Sequence, residues 1–401
     1  MHRETWITGV GCATSLGMDF DSLADSVLAG RSGVSTIRHF DAALHLSRIA
    51  SVLPRLHAPE GYPTDDFARR EACMQMLVWC AVNALRDAGL ETPRRIGLVL
   101  GIGAENLQFW ERDAHGGGDA IRRPATDGGG VVVELKEALA LNGPHATVAA
   151  ACASGNVALG VARQWIRMGL VDIVLAGGGD RGVSPMGVAG FGNTGALSKR
   201  NDDPQRASRP FDRDRDGFVI GEGAALLVVE AGESARQRGV RSYGKLLGSG
   251  MRGDAFHVVM PSDDPTHAAA AIHAALKDAQ LNADDIDYIN AHAPATPAGD
   301  AFETRSLHRA IGPAVEGIPV SSTKSMTGHL LSAASAVEAV IGLIALNRQA
   351  APPTINLDNV DPACQLCHVA NQAQERKIDV VLSTSFGFGG SNTAVLLGRA
   401  A

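Results

Sequence analysis

Hydrophobic positions along the chain alternate between short unbroken runs and longer helical stripes. Residues 5–11, Thr5-Trp6-Ile7-Thr8-Gly9-Val10-Gly11, predict a buried strand closed by glycines. Residues 20–28 predict a helix that Gly30 ends. Residues 39–66 hold no period and contain prolines, which predicts a surface excursion. Residues 69–88 predict a long, mostly buried helix, since few charges lie between its first and last turns. A second buried strand is expected at 95–101, a mobile Gly/Asp/Arg-rich loop at 113–130 and a helix at 131–141. Residues 148–156 form a run of small residues that opens a helix reaching about Met168, and strands follow at 171–177 and 224–230.

The pattern then restarts. Strands are expected at 243–250 and 286–291, helices at 266–279 and 299–311, the most apolar helix at 330–346, and closing strands at 380–385 and 393–397. Apolar runs alternating with helices suit strands covered on both faces. The expected class is α/β, with a mostly parallel sheet and two similar halves that meet within 232–242. Residues 1–238 would carry the small-residue run and 239–401 the histidine segments.

Composition narrows the class further. Of 401 residues, 45% are apolar and 20% charged, enough for a full core, and the net charge of −7 with no basic block argues against a nucleic-acid partner. Forty-six glycines against 4% aromatics favour tight strand–helix turns. Six irregularly spaced cysteines fit a reducing compartment. The N-terminal residues run straight into a strand without a signal-peptide core, and the 330–346 stretch holds Glu338 and reads as a buried core helix. The expectation is a soluble cytoplasmic protein with no membrane partner.

The candidate chemistry starts at Ala151-Cys152-Ala153-Ser154-Gly155. Small neighbours let a substrate carbonyl approach the sulfur, and a helix start favours the thiolate, so the thiol pKa is expected to fall. The opposite reading is a buried small hydrophobe. In the second half, His292 ends an apolar strand at a Pro-rich turn, the edge where open α/β sheets place their sites. Lys324 and His329 bracket a polar loop before the most apolar helix, whose interior charge Glu338 requires a partner. Near the C-terminus, Ser385-Phe386-Gly387-Phe388-Gly389-Gly390 holds glycines that could turn backbone N–H groups toward an oxyanion; by itself it reads rather as a Gly-rich turn before the final strand.

Three further motifs read as decoys. Asp212-Arg213-Asp214-Arg215-Asp216-Gly217 resembles the start of a calcium loop, but its twelfth position is Gly223, so an ion-paired structural loop is expected. Cys364-Gln365-Leu366-Cys367-His368 matches a haem-attachment pattern and reads instead as a surface loop. Gly177-Gly178-Gly179 does not make the dinucleotide fingerprint, and no metal site is indicated.

Taken together and in order, these segments resemble the β-ketoacyl-acyl-carrier-protein synthases, elongating condensing enzymes of the thiolase superfamily. The resemblance rests on 7–11, 151–155, Arg209-Pro210-Phe211-Asp212 with Gly221-Glu222-Gly223, Asn290-Ala291-His292, 322–329 and 385–390. It implies a thiolase-like fold in αβαβα layers, and decarboxylative Claisen condensation of an acyl thioester with malonyl-acyl-carrier protein. It makes Cys152 the acyl acceptor, with His292 and His329 as donors to the malonyl carbonyl. Lys324 would position that region with support from Glu338. Backbone N–H groups of Cys152 and Phe388 would form the oxyanion hole. Thr296, Phe191, Phe386 and Phe388 would bind or gate the substrate. No cofactor is implied beyond the phosphopantetheine that substrates carry. The implied partners are an acyl carrier protein, with Arg69 and Arg70 as candidate docking charges, and a second copy or a related subunit. The family's usual run after the first histidine has two threonines; here it is His292-Ala293-Pro294-Ala295-Thr296, which keeps one hydroxyl. Three other readings stay open: a specialised secondary-metabolite synthase, a chain-length-setting subunit, and a Cys-His hydrolase.

Overall fold

The computed structural model describes residues 3–90, 95–103, 107–118 and 130–400. Eleven strands form the main sheet: β1 (Thr5–Ala13), β2 (Gly97–Gly101), β3 (His145–Val148), β4 (Ile173–Asp180), β5 (Gly223–Ala231), β6 (Gly244–Gly253), β7 (Tyr288–Asn290), β8 (Pro319–Ser321), β9 (Cys367–His368), β10 (Val380–Gly387) and β11 (Ser391–Gly398). The helices of eight or more residues are α1 (Phe20–Leu28), α2 (Ala72–Asp87), α3 (Leu107–His115), α4 (Val131–Ala138), α5 (Ser154–Arg167), α6 (Pro185–Asn193), α7 (Thr266–Ala279), α8 (Pro297–Ile311) and α9 (Ala334–Arg348).

The strand order is β9-β8-β7-β10-β11-β6-β1-β5-β4-β2-β3. One order is written twice: β1-β5-β4-β2-β3 in the first half and β6-β11-β10-β7-β8 in the second, with matching strand directions. The two half-sheets join where Trp6 and Ile7 of β1 meet Lys245 and Gly244 of β6. Helices α5 and α9 lie between the two half-sheets. Helices α2 and α4 cover the first on its outer face, and α7 and α8 the second. These are the five layers expected. The middle helix α9 is buried along nearly its whole length, so its uniformly apolar composition is that of a core element. With the turn before it, Leu331–Arg348 is the one helix among the described residues long and apolar enough to cross a membrane, and 89% of that stretch is buried inside the protein.

The expected mostly parallel sheet is not found: parallel and antiparallel pairings are equally represented. Two pairs of consecutive, adjacent strands run antiparallel. Between β4 and β5 the chain makes a long excursion through 181–222, and β10 turns into β11 through the three residues Phe388, Gly389 and Gly390. Strand patterning reports burial and is blind to direction. The 39–66 excursion is also more ordered than expected. Val34–Thr36 and Ile49–Ser51 pair as a ribbon, and Thr64–Arg69 is a helix that breaks at Arg70 before α2 begins. In the loop expected at 113–130, residues 113–115 close α3, and 119–129 lie outside the described residues.

Two of the decoy segments are structural. Asp212 accepts backbone N–H groups of Asp214, Asp358 and Asn359 and pairs with Arg209. Cys364 and Cys367 do not form a surface loop: Cys364 is fully buried, Cys367 and His368 make the edge strand β9, and the His368 ring bonds the Cys364 carbonyl at 2.7 Å.

Candidate active site

The nucleophile segment forms a strained elbow. Strand β3 delivers Ala151 with φ of +49°, a left-handed residue without the freedom of glycine, and a single 3-10 turn Ala151–Ala153 then leads into α5. The Ser154 hydroxyl pins this bend, accepting from Ala150 N–H at 2.9 Å and donating to the Ala151 carbonyl at 2.7 Å. Strand β10 ends against it. A Cβ on Gly387 would fall 2.2 Å from the Ala150 carbonyl oxygen, so only glycine permits that approach. Ser385 on the same strand donates to the Cys152 carbonyl at 3.1 Å and lies 3.4 Å from His292 Nδ1.

His292 is fixed through its backbone. Glu303, buried on α8, accepts the N–H groups of His292 at 2.9 Å and Ala293 at 2.6 Å, and Thr384 donates to it at 2.6 Å. His329 is held by the first half of the fold: its N–H donates to Val219 at 2.7 Å and its carbonyl accepts from Gly221 at 2.9 Å. Leu331 N–H donates to His329 Nδ1 at 3.3 Å, which leaves the ring proton on Nε2. The two imidazoles stand nearly perpendicular, with centroids 5.4 Å apart.

Lys324 sits behind the site, almost fully buried, and its ammonium is hydrogen-bonded to Glu338 of α9. Its charge acts on everything in front of it. Burial lowers the pKa of both histidines well below the ordinary value, and the Lys324 charge lowers them further; His329 adds to the effect on His292. Both imidazoles are therefore neutral at neutral pH. Burial raises Glu338 to about 7, against the pull of Lys324. The expectation of a depressed Cys152 pKa is not met. Burial pushes the thiol up to about 12, opposed by the Lys324 charge and by a hydrogen bond from Phe388 N–H. The elbow supplies the helix start, but it also places the sulfur in the interior, and desolvation is the larger effect.

These groups face one cavity of about 280 Å³, lined by Cys152, His292, His329, Thr296, Phe191, Phe386 and Phe388 together with Pro294 and Phe218. Phe388, at the tip of the β10–β11 hairpin, is 36% exposed, and its ring centroid lies 6.4 Å from that of Phe191. Thr296 is the N-cap of α8, its hydroxyl accepting from Gly299 N–H at 3.2 Å. Lys324 and Glu338 do not line the cavity. Arg70 is tied to Asp66, Tyr62 and Glu134, so of the candidate docking pair Arg69 is the exposed one, with Asp66 at 3.9 Å.

Sequence reasoning missed Glu303, Asp300 and Phe218. Asp300 carries the N–H groups of Ala295 and Phe211, and Phe218 packs edge-on to His329 at 5.1 Å. The available signal was the spacing of the two carboxylates. They stand three apart on α8 among buried Ala301, Phe302 and Thr304, where the core-facing stripe leaves no room for unpartnered charge.

A thiol at a bent helix start and two neutral imidazoles, set in a duplicated five-layer α/β fold, define a condensing acyltransferase that works through thioesters. The chain belongs to the β-ketoacyl synthase family, whose N-terminal domain profile matches residues 3–235 and whose C-terminal profile matches 243–358. It is 38% identical to the 3-oxoacyl-[acyl-carrier-protein] synthase 2 of Vibrio cholerae, over 99% of both chains. It is 37% identical to the tetracenomycin polyketide synthase ketoacyl synthase alpha subunit of Streptomyces glaucescens, over 99% of this chain and 97% of that one. Among solved structures it matches AntDE:AntF, described as a type II polyketide synthase acyl-carrier protein in complex with its ketosynthase bound to the hexaketide. That match has a TM-score of 0.89 and 28% identity over the whole of both chains.

Proposed function

We propose that the protein elongates a carrier-bound acyl chain through acyl-Cys152. The Cys152 sulfur attacks the acyl thioester carbonyl, and the thiol proton leaves with the departing pantetheine thiol. Backbone N–H groups of Cys152 and Phe388 receive the oxyanion. Malonyl thioester then enters; its C–C bond to the carboxylate breaks, carbon dioxide leaves, and the electron pair becomes an enolate on the thioester. His292 and His329 donate to that enolate oxygen. Its carbon attacks the acyl-Cys152 carbonyl, expels the Cys152 thiolate and yields the β-ketoacyl thioester.

The observation that carries this reading is the convergence of Cys152, His292 and His329 on one cavity, with burial, aided by Lys324, holding both rings neutral. A neutral imidazole N–H stabilises an enolate without a metal or redox group, and the pantetheine arrives on the substrates. The partners that fit are an acyl carrier protein, as in the AntDE:AntF complex, and a second subunit. The terminal strand β3 leaves one edge unpaired, which suits association with another copy or with a related subunit. A cytoplasmic setting suits an unmodified nucleophilic thiol. One observation favours a specialised secondary-metabolite role over bulk fatty-acid elongation. Pro294 faces the cavity with neither hydroxyl nor N–H, and Thr296 is the remaining threonine of that run. The test is intact-protein mass after incubation with acyl-carrier: one acyl increment is expected, absent in Cys152→Ala. An increment that survives the substitution rejects Cys152 as the nucleophile.

A further inference from the structure

The Gly177–Gly179 run sits under the turn that follows His329. Strand β4 ends there, and a Cβ on Gly178 would lie 2.7 Å from the Ser332 carbonyl oxygen, so the strand end is a seat for the turn that follows His329. The next residue, Asp180, is buried. Its Oδ2 accepts the Ser332 hydroxyl at 2.8 Å and the Ser332 N–H at 3.4 Å, and the Gly179 carbonyl lies 3.0 Å from the same hydroxyl. Ser332 adjoins Leu331, whose φ of +52° is a conformation that a leucine holds only under restraint. Leu331 N–H is the group that bonds His329 Nδ1.

We propose that Asp180 is a positioning residue for His329, acting through Ser332 and the strained Leu331 turn to set the ring's tautomer and direction. The anchor comes from the first half of the fold and the ring from the second, so the two halves are coupled at the catalytic histidine. The Gly182 backbone N–H also supports the carboxylate, so Asp180 is held by its own segment while its Oδ2 is committed to Ser332. The group keeps its charge at a desolvation cost. Burial raises it to about 6, so it is ionised at neutral pH and a strong acceptor for Ser332.

The inference rests on His329 acting as the enolate donor, so the test measures the two half-reactions separately. Wild type, Asp180→Ala, Asp180→Asn and Ser332→Ala are compared for acylation of Cys152 and for malonyl-carrier decarboxylation, with imidazole ¹⁵N shifts recorded for His329. In Asp180→Ala, decarboxylation is expected to fall about tenfold or more while acylation stays within about threefold, the scale of losing an outer partner of a catalytic group. Asp180→Asn keeps an acceptor for the Ser332 hydroxyl and should recover part of the loss. The ¹⁵N shifts should show Nε2–H alone in wild type and mixed tautomers in Asp180→Ala. A parallel fall in both half-reactions, or an unchanged tautomer, overturns the proposal. If Asp180→Ala does not fold, Ser332→Ala decides by the same split and the same shifts. Wild type that holds the Nε2–H tautomer yet decarboxylates nothing would leave the anchoring intact and reject the functional reading instead.

Discussion

Burial and the charge on Lys324 together decide what each residue in the cavity can do. Burial keeps His292 and His329 neutral and Lys324 adds to it, while the same charge partly offsets the burial that raises Cys152. Because both histidine pKa values lie well below the ordinary value, malonyl decarboxylation should be flat from pH 8 to about 6.5, where free imidazole begins to protonate. An inflection near pH 6.5 in wild type would contradict this. Lys324→Met removes a cation that lowers both rings, so the acid limb should move to higher pH. Glu338, already raised to about 7, loses the partner that lowers it and should become neutral. The stability side has opposite signs. The histidines bind fewer protons folded than unfolded, so their contribution is full above about pH 6.5 and is lost as pH falls below it. Glu338 and Asp300, both raised to about 7, bind more protons folded, so their contribution is full below about pH 4 and is lost as pH rises toward 7. Unfolding midpoints across that range therefore report a difference between the two, and the decarboxylation profile is the cleaner reading. At this scale the sequence was informative about identity and not about electrostatics. Cys152, His292, Lys324 and His329 were legible from their motifs. The raised thiol was not, because burial depends on how β10 closes over the elbow.

At the scale of elements, two crossings set the geometry. Helix α5 meets α9 at Gly155, where a Cβ would fall 2.5 Å from Ala336 N and 2.8 Å from Ala336 Cβ. Gly155→Ala should cost about 1–3 kcal/mol through overpacking, read as a lower denaturant midpoint with unchanged slope. The start of α8 carries the altered run. Pro294→Thr restores a hydroxyl on the cavity wall and should lower KM for the acyl-carrier substrate with little change in kcat. A fall in kcat would show instead that the proline shapes the chemistry. Element type was legible almost throughout, from apolar runs and glycine stops. The antiparallel returns through 181–222 and at the Phe388 turn were not, because alternating burial looks the same whether a strand returns parallel or antiparallel. Glu303 was only half legible: its spacing from Asp300 marks a buried charge, but its partners, the His292 and Ala293 N–H groups and the Thr384 hydroxyl, lie on other segments.

For the whole molecule, the repeat of one strand order in both halves explains why the site lies where it does. Each half enters its central helix through a left-handed residue and a short 3-10 turn, at Ala151 ahead of α5 and at Leu331 ahead of α9. The first turn holds the nucleophile and the second stands beside its histidine partner. The unpaired edge of β3 is where the assembly is expected to form. Thr147→Lys, which places like charges near each other across a two-fold pairing, should convert a dimer into monomer in sedimentation velocity, and an unchanged dimer would place the interface elsewhere. The central claim, that Cys152 carries an acyl group to a decarboxylated malonyl unit, is tested most directly by stoichiometry. The protein is mixed with acyl-carrier and labelled malonyl-carrier, and released carbon dioxide and β-ketoacyl-carrier are counted together. One carbon dioxide per ketoacyl product, with both lost in Cys152→Ala apart from any uncoupled decarboxylation, is the predicted result. Carbon dioxide without ketoacyl product in the wild-type protein, or free fatty acid in its place, would contradict it.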